Sequence, residues 1–196
     1  NKNDNILKFV SIGGLNSISR KNIDKIIYIF DELLLENNYT DIELNVFIQG
    51  VEIFDQFKNI KHKNITIIIQ GFSYQENLKN IFNNDIFIHL GGQEGLGLGF
   101  YEALYLGLPI LTLDWTPNNE IIKHNDNGWL IQCSQDKIYE NEECIVQRGI
   151  FKEIDLKNIL IEIINNKDST NKIINNTINK AKYFKFENKK IFKHLF

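Results

Sequence analysis

Short runs rich in Ile, Val and Phe recur along the chain at Ile6 to Ile12, Glu43 to Gln49, Ile65 to Ile69 and Asp85 to Leu90, each closed by a glycine or a polar break. Near-continuous apolar runs of this length predict strands buried on both faces, as in a parallel sheet. Helix-length segments separate them. In Lys21 to Glu36, the residues Ile23, Ile26, Ile27, Phe30, Leu33 and Leu34 repeat at helical spacing and make one apolar stripe. Val51 to Phe57 and Gln75 to Phe82 are shorter candidates. The alternation continues through a helix at Leu98 to Leu106, a strand at Pro109 to Leu113, a helix opening near Pro117 and a strand at Gly128 to Ile131. Six strands with helical crossovers predict an α/β fold, a doubly wound six-stranded parallel sheet of Rossmann-like type. After Gln132 the pattern breaks. Polar Ser134 to Glu143 reads as an excursion loop, and helices return over Ile154 to Asn165, Asn171 to Phe184 and Asn188 to the end. Residues 1–196 read as a single domain, with the last helices spanning about 154–196.

Composition narrows the partners. With 22 basic and 25 acidic side chains, the net charge of −3 gives no overall attraction to nucleic acid or anionic membrane. The tail from Lys182 to Phe196 is a local exception, carrying five Lys and one Glu among Phe and Ile. A basic amphipathic helix of this kind suits a membrane surface; the stronger expectation is that it packs its apolar face on the sheet or on a partner domain. Cys133 and Cys144 are too few and too close for a disulfide framework and match no zinc spacing, so reduced structural thiols are expected. No apolar stretch approaches the length of a membrane span and Asn1 to Asp4 opens no signal peptide, which predicts a cytoplasmic or cytoplasm-facing location. The chain contains no Met, so it is expected to be a piece of a longer protein.

In an open parallel sheet, ligands bind beyond the carboxyl ends of the strands, where the strand order reverses. The run after the fourth strand, from His89 to Leu104, holds five glycines between Gly91 and Gly99. Each would cost about 1 kcal/mol inside a helix, so they predict close approach of backbone to a ligand. A helix opening behind such a loop offers unpaired N–H groups to an anion, and phosphate is the natural occupant. Glu94 precedes that helix and Glu102 falls about a turn inside it. Both carboxylates can accept hydrogen bonds from sugar hydroxyls. His89, at a strand end, reads first as a packed rim histidine, and Glu120 as a residue complementing a helix dipole.

Glu94 and Glu102 are separated by seven residues, and the string from Glu94 through Leu111 resembles the E-x7-E signature of retaining glycosyltransferase family 4, of GT-B architecture. The segments Phe9 to Gly13 with Arg20 to Asn22, Asn119 to Ile122 and Asn127 to Ile131 resemble further parts of that family, so the similarity runs over nearly the whole chain. What the chain resembles is the C-terminal, donor-binding half of such an enzyme. The resemblance implies that the N-terminal acceptor domain is absent from this chain, and that the chain alone binds donor but transfers weakly or not at all.

The resemblance assigns roles. Glu102 would hold ribose hydroxyls of a nucleotide diphosphate sugar, UDP- or GDP-linked, and Glu94 would contact the transferred sugar near the reacting carbon as the catalytic carboxylate. Backbone N–H groups of Gly97, Leu98 and Gly99 would receive the diphosphate, neutralised by Lys21 or Arg20, with Lys21 favoured. Phe72, in the turn Gly71 to Ser73, would meet the base. The reaction would proceed with retention, toward a glycan, lipid or protein acceptor. With no Asp-x-Asp in the chain, no metal and no cofactor beyond the donor are expected. Gly13-Gly14, Gly91-Gly92 and Trp115 depart from the family pattern.

Two other classes stand beside this one: a non-catalytic nucleotide-sugar-binding or assembly module, and a nucleotide-sugar epimerase of similar architecture. A dinucleotide-dependent oxidoreductase fits badly, because Ser11 to Ser17 lacks G-x-G-x-x-G and the glycine run follows the fourth strand instead. The absence of Gly-Lys-Ser/Thr excludes a P-loop NTPase.

Overall fold

The computed structural model describes residues 6–14, 18–50, 57, 59–60, 62–94, 97–141 and 144–193. In chain order these form β1 (Leu7–Gly14), α1 (Ile23–Asn37), β2 (Ile42–Gln49), β3 (Ile65–Gln70), α2 (Tyr74–Phe82), β4 (Ile86–His89), α3 (Leu98–Leu106), β5 (Ile110–Leu113), α4 (Asn118–Ile121) and β6 (Gly128–Ile131). A hairpin of β7 (Ser134–Asn141) and β8 (Cys144–Ile150) follows, then α5 (Glu153–Asn165) and α6 (Lys167–Lys193).

The six predicted strands pair in parallel in the order β3-β2-β1-β4-β5-β6. After β3 the chain crosses to the far side of β1 to lay down β4, so the carboxyl ends of β1 and β4 flank the reversal of strand order, where a crevice forms in such sheets. Every residue of β4 and β5 is buried, as continuous apolar runs require. In β2, by contrast, Ile42, Leu44, Val46 and Ile48 are buried while the residues between them are partly or fully exposed. Toward this edge the sheet is well covered on one face only. The stripe of α1 closes that covered face, with Phe30 edge-on to Phe9 at a centroid distance of 5.1 Å, and Leu156, Leu160 and Ile163 of α5 join the same core. On the opposite face, Phe100 and Ala103 of α3 pack with Val10, Phe87 and Ile110.

Two predictions change. Ser134 to Glu143 is not a loop: its first residues form β7, paired antiparallel with β8. The β-rich stretch Cys144-Ile145-Val146 supplies the strand that satisfies the backbone of its polar neighbour. The two separate helices predicted from Asn171 onward are one helix, α6, because no Gly or Pro interrupts the chain between Lys167 and Lys193. Thr170, Ile173, Thr177 and Ala181 form its buried stripe. Residues 51–56 of the predicted helix Val51 to Phe57 lie outside the described residues.

Candidate functional site

The loop that leaves β4 is held through its own carbonyls. Each of five successive carbonyl oxygens accepts a hydrogen bond, and the donors come from four other segments of the chain. His89 O is bound by Thr112 Oγ1 at 2.7 Å, Leu90 O by Asn22 Nδ2 at 2.7 Å and Gly91 O by Asn118 Nδ2 at 3.2 Å. Gly92 O accepts from Gly149 N at 2.9 Å, and Gln93 O from an Arg20 guanidinium nitrogen at 2.9 Å. Thr112 also accepts from Asn118 at 3.0 Å, so β5 and α4 buttress the loop through a buried polar pair. Asn22 sits in the left-handed region, φ 53°, which Asn tolerates better than most residues. That turn sends Arg20 and Lys21 back across the end of β1.

Glu94 closes the loop. Its Oε1 accepts from Arg20 at 2.9 Å and lies 2.8 Å from His89 Nε2. Burial opposes ionisation of Glu94, but the His89 hydrogen bond and the charges around it prevail and bring the carboxyl down to about 2. His89 is 4% exposed. Burial lowers its pKa against the pull of the Glu94 hydrogen bond, and the Lys21 and Arg20 charges add to the lowering. The imidazole is therefore neutral near pH 7, and facing an ionised carboxylate it must carry its proton on Nε2. The ring also lies 4.8 Å from Phe100, centroid to centroid. Gly91 allows the pair to meet: a Cβ there would stand 2.8 Å from Glu94 Oε1 and 2.9 Å from His89 Nε2.

Lys21 differs from its neighbour. Arg20 is committed to Gln93 and Glu94, whereas among the described residues the Lys21 ammonium makes one long contact, 3.5 Å, to Ile12 O. Burial lowers its pKa, the carboxylates of Glu94 and Glu102 raise it, and the Arg20 charge lowers it further. Lys21 thus sits in the field of both carboxylates, half buried, with donor capacity left over from the described residues.

Beyond Glu94, the described chain resumes at Gly97, the N-cap of α3, with φ 61°. A Cβ there would lie 2.5 Å from Phe100 Cδ2, so glycine is required on both conformational and steric grounds. Leu98 and Gly99 follow as the first helical residues, their N–H groups in the unpaired first turn. Glu102 lies on the same helix and is partly exposed, and its carboxylate accepts from the Tyr74 hydroxyl, whose pKa its charge raises. Phe72, in the turn before α2, packs edge-on against Phe47 with centroids 5.8 Å apart. The Ser73 side chain and Glu76 form a reciprocal cap at the start of that helix.

Arg20, Lys21 and Glu94 therefore meet at one place, with Glu102 close enough to act on Lys21 electrostatically. Leu98, Gly99 and Phe72 are placed on the adjoining α3 and α2 segments. Gly95 and Leu96, also in the glycine run, lie outside the described residues. Sequence reasoning kept His89 as a packed rim residue; it is packed, and it is also a partner of Glu94. Thr112 and Gly149 carry no signal beyond a polar or small residue near a strand end, and Asn22, within the Arg20 to Asn22 segment, is given no role of its own by the resemblance. Among the described residues no three His, Cys, Asp or Glu side chains gather as a metal site, and no helix is long and apolar enough to cross a membrane.

Residues 1–142 match the family model described as glycosyl transferases group 1. The chain belongs to that family. Solved structures share the fold of this group 1 domain. Anabaena HepE in complex with UDP-glucose is 14% identical with a TM-score of 0.63, over 90% of this chain and 44% of that one. WaaG, described as a glycosyltransferase involved in lipopolysaccharide biosynthesis, is 20% identical with a TM-score of 0.65, over 91% of this chain and 43% of its own. The C-terminal domain of the Francisella tularensis group 1 protein LpcC is 18% identical with a TM-score of 0.59, over 91% of this chain and 87% of that domain. The group 1 chain spans less than half the length of HepE and WaaG. The sheet is the Rossmann-like fold of GT-B C-terminal domains. No curated protein sequence matches the chain.

Proposed function

We propose that this group 1 domain binds a nucleotide diphosphate sugar and presents it for transfer to an acceptor held by a further domain, in the manner of retaining family 4. One observation carries the reading: the Lys21 ammonium, half buried and weakly bonded, stands in the field of Glu94 and Glu102 at the crevice where α3 begins. The diphosphate lies against the N–H groups of Gly97, Leu98 and Gly99, with Lys21 as counter-charge. Arg20, already bound to Glu94 and Gln93, positions Glu94 instead. Ribose hydroxyls donate to Glu102 beside the Tyr74 hydroxyl, and the base lies at the turn bearing Phe72.

Both donors to Glu94 among the described residues fall on Oε1, and in this reading Oε2 accepts from a hydroxyl of the transferred sugar. As the glycosidic bond breaks, negative charge grows on the leaving diphosphate. Amides and an ammonium oriented beforehand stabilise that charge without reorganising, an effect worth roughly a hundredfold or more in rate per donor. These groups supply the positive charge in place of a metal, so the proposed reaction needs no divalent ion. Family membership favours transfer over epimerisation. HepE and the pneumococcal O-GlcNAc transferase GtfA are both described with UDP, which supports a uridine donor. The single thiol whose environment is described, Cys133, is unpaired, in keeping with a reducing, cytoplasmic setting.

Calorimetry of the chain with UDP and GDP tests the reading. Binding at millimolar or tighter affinity is expected, together with a loss of about tenfold in Glu102→Ala. No binding of either diphosphate, or affinity indifferent to Glu102, would sink it. For transfer, Glu94→Gln in the full-length protein separates an enzyme, whose turnover falls, from a binding module with none to lose.

A further inference from the structure

The β7–β8 hairpin lies outside the six-stranded sheet, yet its base reaches the loop that carries Glu94. Gly149, near the end of β8, donates its N–H to Gly92 O. The fit leaves no room for side chains. A Cβ on Gly92 would stand 2.1 Å from Gly149 O, and a Cβ on Gly149 would stand 2.8 Å from Trp115 Cγ and 3.1 Å from Cys133 Sγ. Trp115 follows β5, and Cys133 leads into β7 with its thiol donating to Asp114 O at 3.2 Å. Gly149 is thus wedged between the loop after β4 and the turn after β5.

That wedge acts on a sensitive point. Gly92 is followed directly by Gln93 and Glu94, the two residues bound by Arg20. Gly91, on its other side, is pressed so closely by His89 Nε2 and Glu94 Oε1 that even a methyl group would part them. A shift of a few tenths of an ångström at Gly92 must therefore move Glu94 relative to His89. The other four carbonyls of the loop are held by side chains from β5, α4 and the turn before α1; Gly92 alone is held by main chain from beyond the sheet.

We propose that the hairpin is a positioning element for Glu94, acting through the Gly149–Gly92 bond, and that it thereby sets which sugar the site accepts while leaving the nucleotide half untouched. The consequence for sugar choice rests on the donor reading above; the positioning of Glu94 does not. Lys21, Glu102 and the first turn of α3, which would hold the nucleotide, hang on other contacts.

Gly149→Ala tests the proposal, with Trp115→Gly/Gly149→Ala as its rescue, since removing the whole Trp115 side chain takes away the two nearest obstacles to the new methyl, Cγ at 2.8 Å and Cβ at 3.0 Å. Nitrogen NMR of the imidazoles reads the effect directly: the His89 Nε2 signal is expected to shift in Gly149→Ala and return toward its original position in the double variant. His62 and His124 should stay in place throughout. For UDP-glucose or GDP-mannose, affinity should fall about tenfold, the loss of one charge-assisted hydrogen bond, while UDP or GDP changes by less than about twofold. Should Gly149→Ala fail to fold, replacing residues 134–150 by a short Gly-Ser turn removes the bond without crowding and should give the same His89 shift. An unmoved His89 signal in folded variants, or equal losses for sugar nucleotide and bare diphosphate, would overturn the proposal. If the unaltered chain binds neither diphosphate, the donor reading falls and the imidazole signals still decide the positioning role.

Discussion

His89 Nε2 and Glu94 Oε1 lie 2.8 Å apart, a neutral imidazole donating to an ionised carboxylate that Arg20 also grips. Both groups resist protonation in the folded chain. Glu94 is ionised down to about 2 against an ordinary 4.5, so its contribution to stability is present above 4.5 and is lost as pH falls toward 2. His89 is held below its ordinary 6.5, so the unfolded chain takes up a proton first and stability begins to fall on acidification below 6.5. Urea unfolding between about pH 7 and about pH 3 should show both losses, the Glu94 part on the order of 2 kcal/mol. Glu94→Gln should flatten the lower part of the profile; an unchanged slope there would contradict the assignment.

The lowered pKa of Lys21 gives donor binding an alkaline limit. Only the ammonium neutralises a diphosphate, so affinity for UDP or GDP should decline as pH rises through the lowered Lys21 pKa, short of the ordinary 10.5. Bound diphosphate favours the charged form, so the decline starts later when ligand is saturating. Lys21→Arg, whose cation does not titrate in this range, should move the limit to higher pH, and Lys21→Gln should cost about tenfold to a hundredfold in affinity at neutral pH. Isothermal titrations across the alkaline range decide it: affinity flat with pH in the unaltered chain would assign the phosphates elsewhere.

Much of this arrangement was legible because it is local. The strands β1 to β6 announce themselves as apolar runs, and α3 begins where the glycine run ends because Gly97 supplies the left-handed cap the helix needs. The sequence favours Lys21 over Arg20 for the phosphates but does not decide between these neighbours, because which of them turns to Glu94 depends on the left-handed turn at Asn22, whose amide is anchored on Leu90, 68 positions away. Gly92 and Gly149 give no hint of each other along the chain, since a main-chain hydrogen bond draws on no particular side chain and the close approach that makes both residues glycine leaves no pattern between them. His89 reads first as a packed rim histidine because its polar partner lies on a loop whose path follows from carbonyls bound by four other segments.

Gly97→Ala isolates the cap of α3. The new methyl meets Phe100 Cδ2 at 2.5 Å, and φ 61° is unfavourable for any L side chain. A loss of about 2 kcal/mol in unfolding free energy is expected, together with weaker diphosphate binding because the first turn carries the amides. Gly99→Ala is the contrast. Its methyl would find only ordinary contacts with Phe87, at 3.8 Å or beyond, so stability should change little. Thermal unfolding of the two variants side by side checks the difference, and equal stability would remove the steric argument.

Thr112 is the buried member of the loop's support, fully enclosed, donating to His89 O and accepting from Asn118 Nδ2. Thr112→Val keeps the shape and removes both bonds, leaving a carbonyl and an amide hydrogen without that partner in a dry environment. The cost should be about 2 kcal/mol, because groups left unpaired on burial lose their solvation as well as their bond. Thr112→Ser keeps the hydroxyl and gives up one methyl group, so it should cost about 1 kcal/mol. The order of the two variants is the informative result. If the hydroxyl supports the loop, Val is the less stable despite filling the space better, and the His89 amide hydrogen exchanges faster in Val than in Ser. If packing alone matters, the order reverses, and the rigidity of the Glu94 loop must come from Asn22, Arg20 and Gly149 without help from β5.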